Sequence, residues 1–371
     1  MGFALNSWSV MTGTAIMRNV FLIGAWQRER KDHMAKQPSE AIKLTPEQLR
    51  RIQLVELDIL LELDRVCRKH QIDYFLCGGT ALGAVRHSGF IPWDDDVDVG
   101  FLREDYERFC RIFPQEADAS KYFLQTWKSD PHYLWNYGKI RRLGTEYVRA
   151  GQERMKYRTG ISIDVFPYDY LPIGEELHRE ILANAYKVPL KYHMFGYRLP
   201  KKMWRSRAMR PLVNQARMCT FCRKATYSKV GRYQAESFHL RMGYWLLSLL
   251  PGRKMAALLE RTARKYNDIT VYGGRGIRQF AYASDWKYPS LGWNSDKLLE
   301  RKEIQFEGFS LWTVKDTDWY LSSEYGTRYM ELPPPELRYG VAPASKIDFG
   351  SVFEEMEWCT EKYFEMKEGS G

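Results

Sequence analysis

Apolar residues recur at helical spacing through Leu49, Ile52, Leu54, Val55, Leu57, Ile59, Leu60, Leu63 and Val66. This periodicity predicts an amphipathic helix ending near His70. Its start is written in Thr45-Pro46-Glu47-Gln48, with a capping threonine, a proline at the first helical position and a glutamine placed for a capping box. The period then changes. Asp73–Cys77 reads as a short buried strand, Gly78-Gly79-Thr80 as a tight turn, and Ala81–His87 as a helix. After a loop over Ser88–Pro92, the run Asp96-Val97-Asp98-Val99-Gly100-Phe101 alternates polar and apolar residues, like a strand with one face buried. Arg103–Phe113 predicts a second helix, and 122–127, 137–148 and 160–166 predict further strands. That order argues for an α/β or α+β domain. Beyond 170 the chain reads as mainly helical and basic, and 280–340 as aromatic-rich loops and short strands. The expected organisation is an appendage over 1–44 (with Met34 an alternative start), a catalytic core over 45–175, a basic insertion over 176–270 and a C-terminal part over 271–371 that packs on the core.

Composition narrows the classes. With 371 residues, 44% hydrophobic and rich in aromatics, the chain can bury a sizeable core and is not a disordered protein or a disulfide scaffold. No run reaches the roughly 18 apolar residues that a membrane-spanning helix needs. The first residues lack the basic flank of a signal peptide, so a cytoplasmic location is expected. Cys67, Cys77 and Cys110 lie in apolar contexts and read as buried thiols. Cys219 and Cys222 form half of a zinc site, with no second CxxC or HxxxH to complete it.

Charge is unevenly placed. The net +10 hides a segment, 181–232, with 13 Lys and Arg and no acid, interleaved with Tyr192, Tyr197, Trp204 and Phe221. Such a stretch suits an anionic membrane surface, a polyanionic ligand or nucleic acid, or it is a solvated insertion. The apolar run Tyr244–Pro251 favours the membrane, although it is too short to cross one.

The candidate chemistry sits in Trp93-Asp94-Asp95-Asp96-Val97-Asp98-Val99. Residues two apart on a strand share a face, so Asp96 and Asp98 project together. Two carboxylates that close repel unless a cation neutralises them, and hard oxygen ligands fit Mg²⁺ or Mn²⁺. The alternative is an acidic surface turn, against which the apolar Val97 and Val99 speak. Gly78-Gly79, between an apolar strand and a helix, suits close approach of a phosphate to backbone N–H groups. Asp164, alone in the apolar strand Ile161–Pro167, is costly to bury without a partner and would complete a metal site or act as general base. Lys139 and Arg141 share a strand face and could hold phosphate oxygens, or they belong to an exposed basic edge strand. No P-loop, HExxH or GxSxG motif occurs.

Taken together, the stretch from Tyr74-Phe-Leu-Cys-Gly-Gly-Thr80 to Pro92-Trp-Asp-Asp-Asp-Val-Asp-Val-Gly100 resembles the signature of the LicD family of phosphotransferases, relatives of fukutin. Similarity extends to Ile161–Asp169, Phe306–Phe309, Tyr325-Gly326 and Leu332–Pro334. The resemblance implies a nucleotidyltransferase-like α+β fold, a mixed sheet flanked by helices, with the mainly helical basic segment as its variable insertion. It implies transfer of phosphocholine or a related alditol phosphate from a CDP-activated donor such as CDP-choline. The acceptor would be a hydroxyl on a glycan such as a teichoic acid or lipooligosaccharide, or on its lipid-linked precursor. Gly78, Gly79 and Thr80, with Lys139 and Arg141, would bind donor phosphates. Asp96, Asp98 and Asp164 would be the catalytic acids and metal ligands, with Asp94 a further candidate. Arg86 and His87 match the motif without a derivable role. The protein is expected at the inner face of the membrane, held through 181–232, and nucleic acid is not an expected partner because no RNA-binding motif appears. The competing readings are a glycosyltransferase with a DxD metal site and a non-catalytic scaffold that binds polyanions.

Overall fold

The computed structural model describes residues 41–172, 207, 209–235, 237–269, 293–338 (which opens with β10, Trp293–Asn294), 340 and 343–356, together with the short strands β7 (Tyr186–Lys187), β8 (Tyr197–Arg198) and β9 (Gly276–Arg278). The first helix, α1 (Pro46–His70), opens as its sequence requires. Thr45 Oγ1 accepts from the Gln48 N–H at 3.1 Å, and Gln48 Oε1 accepts from the Thr45 N–H at 3.0 Å. It stops at Gln71, which adopts the left-handed conformation. The inward face carries Ile52, Leu60 and Leu63, and also two buried polar residues, Gln53 and Glu56.

Strand β1 (Phe75–Leu76) follows, then α2 (Gly78–His87), β2 (Asp98–Leu102) and α3 (Arg103–Glu116). The first strand is shorter than expected because the Cys77 N–H donates to the Asp98 carbonyl and the chain turns directly into α2 at Gly78, three residues earlier than the sequence suggested. The expected strand over 137–148 is two strands, β4 (Gly138–Arg142) and β5 (Glu146–Arg149), after β3 (Tyr122–Gln125). Gly144, with φ of +80°, makes the turn between them. β6 (Ser162–Tyr170) runs four residues beyond the expected end.

β6 is the hub of a nine-stranded mixed sheet. One edge pairs in parallel with β2; the other pairs antiparallel with β4 along its first half and with β9 (Gly276–Arg278) at its end. β1 joins β2 antiparallel. The sheet continues through a C-terminal hairpin, β11 (Arg301–Phe306) and β12 (Phe309–Val314), in which β12 lies parallel to β1. The hairpin turn has positive φ at both Glu307 and Gly308, as a two-residue turn matched to strand twist requires. α1, α3 and the hairpin enclose a core in which Leu57, Val99, Phe109, Ile163 and Leu311 are fully buried. The fold is α+β: a mixed sheet flanked by helices, with a helical insertion.

That insertion comprises α4 (Arg210–Thr226), α5 (Ser228–Gln234), α6 (Phe238–Leu247) and α7 (Gly252–Ala263). α7 lies on α4, where Gln215 Nε2 donates to the Thr262 and Ala263 carbonyls. It is tied to the core by Asn136 donating to the Ala256 carbonyl and by Trp127 and Lys128 on Glu260. Cys219 and Cys222 are buried thiols on α4, and Cys110 is only partly buried. Met34, Tyr192, Trp204, Lys201, Lys202, Arg205 and Cys359 lie outside the described residues.

Candidate active site

Strand register assembles the centre. Asp98 on β2 pairs with Asp164 on β6, and Asp164 pairs with Lys139 on β4. Residues in register on adjacent strands share a face, so three groups from three separate strands form one row across the sheet. The Lys139 ammonium and the Asp164 carboxylate form an ion pair. Burial lowers the Lys139 pKa, and Asp164 opposes that shift. The row is held by backbone: the Asp164 N–H donates to the Val97 carbonyl at 2.8 Å, and the Asp98 N–H donates to Thr80 Oγ1 at 2.8 Å.

Just before β2, carboxylate oxygens of Asp94, Asp95 and Asp96 lie within 4.8 Å of one another. Such an all-oxygen donor set fits a hard divalent cation. Burial pushes the Asp96 carboxyl up to about 7, with Asp95 and Asp164 adding to the effect. Burial also raises Asp98 well above the usual carboxylate range, reinforced by Asp96 and Asp164. Carboxylates crowded together and only partly exposed suit a cation between them.

The two glycines are needed for this approach. A Cβ on Gly78 would lie 2.9 Å from Asp98 Oδ2, and one on Gly79 would lie 2.8 Å from Asp94 Oδ2. Gly78 also has φ of +55°, which favours glycine. Its N–H donates to the Tyr320 hydroxyl at 3.0 Å, a contact from the C-terminal part that the sequence pattern did not disclose.

Residues 71–195 match the model of the LicD/FKTN/FKRP nucleotidyltransferase domain. The chain carries a LicD-family domain. It is 33% identical over 145 residues to the lipopolysaccharide cholinephosphotransferase LicD of Haemophilus influenzae, covering 39% of this chain and 53% of that protein. It is 44% identical over 48 residues to the human ribitol 5-phosphate transferase FKRP, covering 13% of this chain and 10% of that protein. An uncharacterized Rickettsia typhi protein is 44% identical over 57 residues, 15% of this chain and 18% of that protein. The chain therefore spans about half the length of the first relative and under a fifth of the other two.

Within the LicD domain, β4 is an internal strand between β3 and β6, so the exposed basic edge considered from sequence is ruled out. Arg141 is 4% exposed, and its guanidinium is anchored to Gln125 Oε1 and the Gly160 carbonyl, both at 2.7 Å. Arg86 now has a structural partner, donating to the Tyr329 carbonyl at 2.9 Å and so holding the C-terminal turn against α2. The match at Asp169 marks a fully buried bidentate pair with Arg103, at 2.7 and 2.8 Å, that joins the start of α3 to the end of β6.

Two site acids escaped the sequence reading. Asp95 stood inside the acidic run but was not singled out. Glu56 was hidden in the helix pattern of α1. Gln53, one turn before it, donates to the Asp94 carbonyl at 2.9 Å, so this face of α1 lies under the acidic run. Glu56 is 2% exposed, and burial and then Asp96 push its carboxyl well up. A polar residue interrupting a buried helix face was the available signal. Glu56, Asp95, Lys139 and Arg141 all line a cavity of about 470 Å³ that reaches the inserted helices.

Proposed function

We propose that this chain transfers phosphocholine or a related alditol phosphate from a CDP-activated donor to a hydroxyl of a cell-surface glycan or its lipid-linked precursor. The observation that carries the reading is the row Asp98–Asp164–Lys139 set beside the Gly78-Gly79 turn and the Asp94–Asp96 cluster. Asp96 is the shared ligand for Mg²⁺ or Mn²⁺, with Asp94 and Asp95 of the same cluster; Asp98 and Asp164, outside that cluster, are the further ligands of this reading. The metal, when bound, would neutralise donor phosphates and the charge developing on the leaving nucleotide. The start of α2 at Gly78, Gly79 and Thr80 faces the donor phosphates, with Lys139 and the anchored Arg141 supplying positive charge. Asp164 takes the proton from the attacking hydroxyl, and Lys139 orients its carboxylate. The deciding experiment incubates the protein and Mg²⁺ with CDP-choline, CDP-ribitol, CDP-glycerol and a nucleotide-sugar, and measures nucleotide release. CMP from a CDP-alcohol supports the reading. Consumption of the nucleotide-sugar alone would make the protein a glycosyltransferase, and no consumption would make it a scaffold.

The same proposal places the protein at the inner face of a membrane. Among the described residues no helix is long and apolar enough to cross one. α6 buries none of its residues and exposes Phe238 (71%), Leu240, Trp245 and Leu246, with Leu249 (67%) just beyond it. Arg232 and Arg241 line a groove with Phe238 and Trp245. Cations beside exposed apolar side chains suit shallow insertion into an anionic leaflet.

A further inference from the structure

The cavity beside the acidic row has two walls of different origin. One is formed by α1 and the sheet region, contributing Glu56, Asp95, Asn136, Lys139 and Arg149 among others; the other is the helical insertion, contributing Arg223, Lys224, Thr226, Tyr227 and Tyr244. All five residues of the second wall lie beyond the 71–195 family match. That wall carries two cations and no acid. Three oxygens in the cavity's lining are buried without a hydrogen-bond partner among the described residues, Asn136 Oδ1, Glu56 Oε2 and Tyr133 Oη. Asn136 is 8% exposed, and its amide nitrogen is already committed to the Ala256 carbonyl, so its oxygen waits for a donor. A buried acceptor without a partner is costly, and a ligand hydroxyl would relieve it. The cations call for an anion, while aromatic faces with hydroxyl edges match the mixed apolar and polar surface of a sugar ring. A quaternary ammonium alone meets the wrong charge on the insertion wall.

We infer that this cavity is the acceptor subsite and takes an anionic, hydroxyl-rich saccharide, selected by Arg223, Lys224 and Tyr244 of the insertion. The inference rests on the transferase reading for the word acceptor, and on the cavity alone for the ligand class. Its volume falls in the range of small-molecule sites, about 300–1,000 Å³, enough for one or two sugar rings. Asp95 and Lys139 in the lining bring such a ligand to the row that would activate its hydroxyl.

The test is calorimetric titration of the whole chain with glucose, glucose 1-phosphate and glucuronic acid, and separately with CMP. The anionic sugars should bind about tenfold more tightly than glucose, as charge-assisted hydrogen bonds from Arg and Lys predict. Arg223→Gln with Lys224→Gln should erase that preference and leave CMP affinity unchanged. Lys224→Gln alone, at an exposed side chain that the fold does not need, should lose part of it. Tyr244→Ala should weaken all three sugars. A preference for glucose 1-phosphate alone names phosphate as the recognised group; equal binding of glucuronate names the charge. Equal affinity for glucose and its phosphate, an unaltered double variant, or displacement of the sugar by CMP would each overturn the inference. CMP release without any saccharide selectivity would sink the subsite and spare the transferase reading. Saccharide selectivity without CMP release from any CDP donor would sink the transferase reading, and the acceptor role with it.

Discussion

The two walls of the cavity are held in different ways. On the LicD side the groups proposed for the chemistry are placed by backbone: Asp98, Asp164 and Lys139, of which Lys139 lines the cavity, occupy one row because three strands are locked in register, with Val97, Val99, Ile163 and Val165 fully buried behind them. On the insertion side the wall hangs on helices whose outer member, α6, buries nothing and turns Phe238 and Trp245 to solvent. A ladder tolerates no slip, since a shift of one residue would turn every side chain to the opposite face. Helices joined through side chains can change their surface at little cost to the fold. Under the proposed function, chemistry would fall to the rigid wall and selection to the adaptable one.

The sharpest way to break that division is Asp98→Asn. Losing a charge-bearing group at the reacting centre should lower CMP release by roughly 10³-fold or more. Metal-free melting temperature should hold or rise, because burial and neighbouring carboxylates already disfavour the Asp98 charge. A variant that keeps turnover removes Asp98 from the centre. Next in size is Asp169→Ala, which leaves the buried Arg103 guanidinium without its carboxylate. Urea unfolding should show a loss of about 3–5 kcal/mol. A loss below about 1 kcal/mol would mean that the row is not braced there.

A smaller effect is pH-dependent. With its carboxyl raised to about 7, Asp96 keeps a proton in the folded protein that the unfolded chain has already released. The folded state therefore binds more protons between about pH 4 and 7, and metal-free stability should fall as pH rises through that window. Melting curves in chelator should show the decline, and Mg²⁺ should flatten it; a flat profile in chelator would remove the unpaired charge from the site. The smallest expected change is in Phe238→Ser with Leu249→Ser. Stability should move by no more than about 0.5 kcal/mol, because neither side chain is buried. Sedimentation with anionic liposomes should nevertheless drop, whereas a loss of fold would show that α6 packs more closely than its exposure indicates.

Local rules were legible in the chain. The Thr45 capping box, the alternation through Val97 and Val99 and the Gly78-Gly79 turn depend on near neighbours, and their patterns survive in the fold. Asp96, Asp98 and Asp164 could be named because carboxylates in apolar strands need a reason to be there. What the sequence could not supply was which distant segments meet. Whether β4 was an edge or an internal strand depended on β3 and β6 flanking it, a pairing between residues as far apart as Gly138 and Val165. Glu56 looked like one more polar position on a helix until Gln53 tied that face to Asp94. Arg103 and Asp169, 66 residues apart, became partners only when α3 and the end of β6 were brought together. The sequence by itself determined the chemistry available, hard acids and a glycine turn, because residue type and short spacing carry it. The tertiary structure alone decided that helices of the insertion share a cavity with Glu56, Asp95 and Lys139, because long-range packing depends on the whole set of buried surfaces rather than on any local pattern.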